Sequence, residues 1–216
     1  MTPPEPSHPD SSGQGPLNVS EGRWLMFTKF LQRGRVIASF APSSRFMARA
    51  ILRDIKFADC RCIVELGAGT GPITAELLRR AGRHCRCLIV ELDHDLCRHL
   101  RKRFPHADVV EADASDLDRL LDERGIGRVD HILSGLPLPS IPTEIRERIL
   151  DVSARRLTPD GSFRQLTVMP WVYYRMYRRY FQDVRFRFVP VNLPPGGVYV
   201  CKGFQDRDEP QADADS

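Results

Sequence analysis

Apolar, β-branched runs alternate with stretches of helical spacing along most of the chain. Cys62-Ile63-Val64-Glu65-Leu66 is a short apolar run closed by Gly67, and Ile73, Leu77 and Leu78 then recur on one helical face. The same order repeats, with Cys87 to Val90 as a strand, Leu92 to Phe104 as a helix and Asp108 to Val110 as a strand. Ser115 to Leu121 follows as a short helix and Val129 to Leu133 as a strand. Ile141 to Leu157 reads as a helix capped by Thr143 or a neighbour, Asp160-Gly161 marks a turn, and Phe163 to Val168 is strand-like. Val184 to Val191 and Val198 to Phe204 read as a closing antiparallel pair joined through Pro194-Pro195-Gly196-Gly197. Strands that alternate with helices pair in parallel and are buried on both sides. The pattern therefore predicts an α/β fold, a mostly parallel sheet with helices on both faces and the last strand antiparallel.

The two ends break this pattern. Residues 1 to 20 hold Pro3, Pro4, Pro6, Pro9 and Pro16 among Ser and Gly, too polar to bury apolar area, and are expected to be a disordered tail. The stretch from 205 to 216 is expected to be an acidic disordered tail, and 21 to 41 a basic amphipathic helix that precedes one domain over 42 to 204. The 216 residues suffice for one domain with tails. The formal charge of +4 conceals an uneven distribution. The first 22 residues carry −3 and the last twelve −4, which leaves +11 on residues 23 to 204. A folded part this basic favours an anionic partner, nucleic acid or an acidic membrane surface, over an acidic one.

No uncharged apolar run approaches the roughly 18 residues that span a bilayer, and no basic and then apolar leader opens the chain. The expectation is a protein neither transmembrane nor exported, in the cytoplasm. Six cysteines in such a chain are expected to be reduced thiols. Cys60-Arg61-Cys62 and Cys85-Arg86-Cys87 fall outside the spacing of zinc sites and begin apolar strands, so no metal is expected.

Glu65-Leu66-Gly67-Ala68-Gly69-Thr70-Gly71 lies where a strand feeds a helix, so its backbone can approach a ligand closely. The spacing is G-x-G-x-G, without the third-glycine offset of dinucleotide folds and without the Lys-Ser/Thr of a P-loop, which counts against hydride transfer and nucleotide hydrolysis. Glu91 ends the second strand about 20 residues later, where a carboxylate can accept both ribose hydroxyls of a nucleoside, with Leu92 beside it. Asp113 follows the third strand, placed either for an adenine amino group, with Ala114 beside it, or as a helix cap. These positions form a series at the carboxyl ends of consecutive strands, where open α/β sheets bind ligands.

On these residues the chain resembles a class I S-adenosylmethionine-dependent methyltransferase over roughly residues 40 to 204. The resemblance implies a Rossmann-like, seven-stranded sheet and S-adenosylmethionine as cofactor. It implies Gly67, Ala68, Gly69, Thr70 and Gly71 around the methionine end, with Glu65 ordering the loop or meeting the amino group, Glu91 and Leu92 at the ribose, Asp113 and Ala114 at the adenine, and Ser134 among the cofactor-binding residues.

The acceptor is read from Ser134-Gly135-Leu136-Pro137-Leu138, after the fourth strand. Ribosomal RNA adenine N6-dimethyltransferases are similar in frame but carry Asn-Leu-Pro-Tyr there. Gly135 and Leu138 replace the amide and the ring, and base stacking of about 1 to 3 kcal/mol is forgone. The segment resembles instead the bacterial phospholipid N-methyltransferases that methylate phosphatidylethanolamine toward phosphatidylcholine. Pro42 to Ala48, Gln165-Leu166-Thr167 and Asn192-Leu193-Pro194-Pro195 are similar to theirs as well. The resemblance implies Ser134, Gly135 and Leu136 as the loop that positions the acceptor, a phospholipid substrate, and a site on the inner face of the membrane. The alternatives are an RNA adenine methyltransferase and a non-catalytic membrane-binding protein.

Two basic, aromatic stretches bear on that choice. Trp24, Phe27, Leu31 and Ala38 recur at helical spacing among Arg23, Lys29, Arg33 and Arg35, which suits either an interfacial helix or one that covers the cofactor pocket. Trp171 to Phe181 mixes Tyr with Arg and suits a membrane boundary, a stacked single strand, or a core helix with Arg heads reaching outward. An alkyl amine near pKa 10.4 must lose a proton before it attacks a methyl group. Candidate proton acceptors are carbonyls of the Ser134 loop, the Ser134 hydroxyl and a tyrosine between 173 and 180. His131 and His94 are expected to be structural.

Overall fold

The computed structural model describes residues 42–167, 173–190 and 196–205. The expected N-terminal tail and basic helix, and the acidic end after Gln205, lie outside the described residues, as do Trp171 and the Asn192 to Pro195 turn. Helix α1 (Pro42–Ile51) leads into β1 (Cys62–Leu66), and then α2 (Pro72–Arg80), β2 (Arg86–Glu91), α3 (His94–Arg103) and β3 (Asp108–Glu111) follow. Short α4 (Leu117–Asp122), β4 (Val129–Ser134), α5 (Thr143–Arg156) and β5 (Leu157–Thr167) come next. The single-turn helix α6 (Tyr174–Tyr177), β6 (Phe181–Val189) and β7 (Gly196–Phe204) complete the chain.

The seven strands lie in the order β3-β2-β1-β4-β5-β7-β6. β1 to β5 run parallel, and β7 alone is inserted antiparallel between β5 and β6. All five residues of β1 are buried, because it has neighbours on both edges and helices on both faces. Alternate residues feed two cores. Val64, Leu66, Leu88, Val90, Ile132 and Phe163 meet Leu117, Leu121 and Leu150 on one face. Ile63, Ile89 and Leu133 meet Ile51, Leu77 and Leu100 on the other. The chain runs outward from β1 to β3 and then returns to β4 on the other side of β1. The crevice at the carboxyl ends of β1 and β4 is therefore the switch point where such sheets take ligands.

Three expectations change in detail. Thr143 lies inside the first turn of α5 and Pro142 holds the N-cap position without a side-chain cap; its carbonyl accepts from the Arg146 amide at 2.9 Å. Asp160-Gly161 does not end an element but sits within β5, which begins at Leu157. Between the pairs Val129–Leu157 and His131–Ser162, one residue of β4 faces four of β5, a bulge. A Cβ on Gly161 would lie 2.8 Å from the Asp130 carbonyl and 2.9 Å from that of Thr158, so glycine serves close backbone approach here rather than a hairpin. The helix expected from Ser115 is a 3-10 turn, Ala114–Asp116, followed by α4.

His131 is structural, as expected. Arg164 Nε donates to Ser162 Oγ at 2.9 Å, and the Ser162 hydroxyl and His131 Nδ1 hydrogen-bond at 2.9 Å. Arg164 has no acceptor, so the serine proton is free to point at an unprotonated Nδ1. Burial first, and then the Arg164 charge, push the His131 pKa down to about 4. Unfolding restores an ordinary imidazole near 6.5, so the stabilisation is complete above pH 6.5 and is lost as pH falls toward 4. Between pH 7.5 and 4.5 His131→Gln is expected to lose about 2 kcal/mol less stability than the natural chain, as read from urea unfolding at the two pH values.

Candidate active site

The glycine turn is a set of left-handed backbone positions held by its neighbours. Gly67, Gly69 and Gly71 have φ of 70°, 60° and 83°. The Gly67 amide donates to the Val90 carbonyl at 2.8 Å, and the Gly135 amide donates to the Leu66 carbonyl at 2.9 Å. The turn after β1 is thus stitched to β2 on one side and to the loop after β4 on the other. A Cβ on Gly67 would come within 2.6 Å of Leu136 Cδ2, and one on Gly71 within 2.7 Å of Leu100 Cδ2 and 2.8 Å of Phe104 Cε2. Ala68 is buried in the second core beside Ile73.

Glu65 is buried on β1, and its Oε2 accepts from Thr74 Oγ1 at 2.8 Å, which ties the strand to helix α2 across the turn. Glu91, 7% exposed, gathers backbone donors: Oε2 accepts from Gly69 at 2.7 Å, and Oε1 from Leu92 at 2.9 Å and Asp93 at 3.1 Å. A carboxylate offers about four acceptor positions. A sugar hydroxyl would take the remaining one, and a second would compete with the Gly69 amide. Leu92 itself is exposed. Asp113 Oδ1 accepts from the Ser115 amide at 2.7 Å and caps the 3-10 turn that begins at buried Ala114. His94 opens α3 and pairs with Glu111 at 2.9 Å, a helix-start residue as expected.

After β4, Ser134 is fully buried and its Oγ accepts from the Leu136 amide at 3.4 Å. Gln165, the β5 residue registered opposite Ser134, donates from Nε2 to the Leu136 carbonyl at 2.7 Å. The sheet thereby assembles Glu65, the Gly67 to Gly71 turn, Glu91 and the Ser134-Gly135-Leu136 loop around one crevice, with Asp113 and Ala114 beyond β2. Two participants were not singled out as site residues from the sequence. Arg103, from the end of α3, donates Nη1 to the Thr70 carbonyl at 2.8 Å, and Gln165 braces the acceptor loop. A polar residue near the end of an otherwise apolar strand was the available signal for Gln165; Arg103 had none, because it lies 33 positions away from Thr70 on a polar helix end.

The crevice fits a polar ligand: Glu91 keeps an acceptor position for a sugar, and among the described residues Thr70 Oγ1 and Gln165 Oε1 are buried atoms without a hydrogen-bond partner, one on the glycine turn and one beside the acceptor loop. Burial pushes the Cys60 thiol up to about 11 and the Cys62 and Cys97 thiols up to about 12, so these three stay protonated, and all six cysteines are free.

A family model described as a methyltransferase domain matches residues 63–161, and by this match, the sheet order and its full-length relative the chain belongs to the class I S-adenosylmethionine-dependent methyltransferases. It is 46% identical over 186 residues to the ornithine lipid N-methyltransferase of Singulisphaera acidiphila, an alignment that covers 85% of this chain and 97% of that protein. Similarity to the ribosomal RNA small subunit methyltransferase A of Bordetella avium is 44% over 71 residues, 32% of this chain and 26% of that one. The fold is shared with the 1,6-didemethyltoxoflavin-N1-methyltransferase of Burkholderia thailandensis, solved with its substrate and S-adenosylhomocysteine, at a TM-score of 0.66 and 18% identity over 93% of this chain and all of that one.

Gly67→Ala is expected to destabilise the protein by about 2 kcal/mol, from the positive φ together with the displaced Leu136 side chain, measured as a shift in the urea midpoint at unchanged slope.

Proposed function

We propose that the protein transfers methyl groups from S-adenosylmethionine to the amine of a membrane lipid headgroup. The observation that carries this reading is near full-length identity with a lipid N-methyltransferase, 46% across 97% of that protein. That relative acts on an ornithine lipid, which ranks ornithine ahead of the ethanolamine headgroup suggested by the phospholipid methyltransferase resemblance. Both acceptors are alkyl amines on a lipid, and one chemistry serves them.

Bound S-adenosylmethionine supplies a sulfonium methyl: the amine lone pair forms the N–C bond as the C–S bond breaks, the electron pair remains on sulfur as a thioether, and the nitrogen sheds a proton. The chain's part is to hold the two ends in line, which is worth many powers of ten in effective concentration. In this reading Glu91 and Leu92 hold the ribose, Asp113 and Ala114 the adenine, and Glu65 with Gly67, Ala68, Gly69, Thr70 and Gly71 the methionine end. Ser134, Gly135 and Leu136 then position the amine. Of the tyrosines between 173 and 180, Tyr177 and Tyr180 are buried in the first core. Burial pushes the Tyr177 pKa well up, so it stays a phenol and is a poor base. The proton acceptors of this reading are the carbonyls of the Ser134 loop and the Ser134 hydroxyl.

RNA is the weaker acceptor. Leu138, at the position where the RNA enzymes present a stacking ring, is 0% exposed and packs in the core. A membrane surface suits the rim better: Leu92 after β2 and Phe188 near the end of β6 are 44% and 57% exposed, both at the carboxyl edge of the sheet. Among the described residues no helix is long and apolar enough to cross a membrane, so the contact proposed is peripheral, on the cytoplasmic face.

Incubation with methyl-labelled S-adenosylmethionine is expected to put label into vesicles that contain ornithine lipid, less into phosphatidylethanolamine vesicles and none into RNA. Label in RNA alone would overturn the lipid assignment, and label in neither would favour a non-catalytic membrane protein. Glu91→Ala is expected to weaken S-adenosylmethionine binding at least tenfold by calorimetry, the loss of a charge-assisted hydrogen bond worth about 1.5 to 3 kcal/mol.

A further inference from the structure

Gln165 is the most constrained polar side chain beside the acceptor loop. It is 2% exposed, on β5, registered against Ser134 of β4 on one side and Tyr199 of β7 on the other. Its amide nitrogen donates twice, to the Leu136 carbonyl at 2.7 Å and to the Leu166 carbonyl at 2.8 Å. Two carbonyls at the nitrogen end settle the amide orientation, since the flipped form would set oxygen against oxygen. The other end, Oε1, is buried and has no hydrogen-bond partner among the described residues. A buried acceptor left unpaired costs free energy, and such groups in folded proteins call for an explanation. The neighbour of Gln165 on β7, Tyr199, belongs to an aromatic group, with its ring 4.9 Å from Tyr177 and 5.1 Å from Phe186.

We infer that Gln165 Oε1 accepts an N–H of the substrate amine and so aims the nitrogen lone pair at the transferred methyl, while Nε2 braces the Leu136 carbonyl of the same loop. A neutral amide suits this task better than a carboxylate. It orients an uncharged amine, whereas a carboxylate within reach would hold the amine as ammonium and occupy the lone pair with a proton. The assignment rests on the amine-acceptor reading, and it makes Gln165 a contact to substrate rather than to the cofactor.

The test compares the natural chain with Gln165→Leu and Gln165→Glu for methyl transfer to ornithine lipid vesicles between pH 6.5 and 10, with S-adenosylmethionine affinity measured by calorimetry. Gln165→Leu is expected to lower kcat/KM by about 10- to 100-fold at unchanged cofactor affinity, and Gln165→Glu to move the alkaline rise of the rate upward by about one pH unit or more. A purely structural amide would leave that profile where it is. Because either variant can fail to fold, the third measurement uses the unmutated chain: the Gln165 side-chain carbonyl carbon, followed by NMR in the presence of S-adenosylhomocysteine, is expected to shift when free ornithine or ethanolamine phosphate is added. An unmoved carbonyl resonance, a kcat/KM within threefold of the natural value, or a loss of cofactor affinity that parallels the loss of rate would each overturn the assignment. No turnover of any lipid by the natural chain would remove the reading beneath it, an outcome separate from normal turnover by all three proteins.

Discussion

The Glu91 carboxylate is the joint on which the crevice depends. It is nearly buried, and three backbone amides from two different segments converge on it, Gly69 from the turn after β1 and Leu92 and Asp93 from the turn after β2. An amide–carboxylate bond at low exposure is among the stronger hydrogen bonds available to a protein. Here it fixes the turn in a conformation reached by three glycines at positive φ. In the proposed reading, the joint lets one acid serve both fold and ligand. It orders the loop from one side and keeps acceptor capacity for a sugar on the other.

A second feature of the sheet order is that the glycine turn and the loop after β4 meet across a seam built from several strands. Gly135 hydrogen-bonds to Leu66, Leu136 lies against Gly67, and Gln165 holds the Leu136 carbonyl. Three strands, β1, β4 and β5, thus meet at this seam. Since positioning supplies most of the acceleration in a methyl transfer, the seam is built from backbone contacts and buried side chains that allow little drift. Tyr177 agrees with this: its burial in the first core pushes its pKa well up and keeps it a phenol.

The closing strands connect the site to its surroundings. Inserting β7 antiparallel between β5 and β6 brings Tyr199 beside Gln165 and carries Phe188 to the carboxyl edge of the sheet. The same geometry divides the aromatic segment around 173 to 181: Tyr177, Tyr180 and Phe181 enter the first core and Tyr174 faces solvent. Of the readings open to that segment, core packing accounts for the first three.

Period and punctuation were sufficient for the frame. Cys62 to Leu66 and Cys87 to Val90 are too apolar to sit anywhere but inside a parallel sheet, the G-x-G-x-G turn between strand and helix marks a close backbone approach, and an acid at the end of β2 is readable from distance along the chain alone. These are local constraints, each written within a few residues. Asp160-Gly161 could not be read correctly in the same way, because the same dipeptide suits a turn and a bulge, and the decision lies with Asp130 and Thr158 pressing against Gly161. Neither could the Gln165 bond to Leu136, the Arg103 contact to Thr70, or the Glu91 bond to Gly69. Each depends on strands and helices that are distant in sequence and adjacent in space, and only the packed sheet brings a donor and an acceptor separated by 22, 29 or 33 positions to within 3 Å of one another.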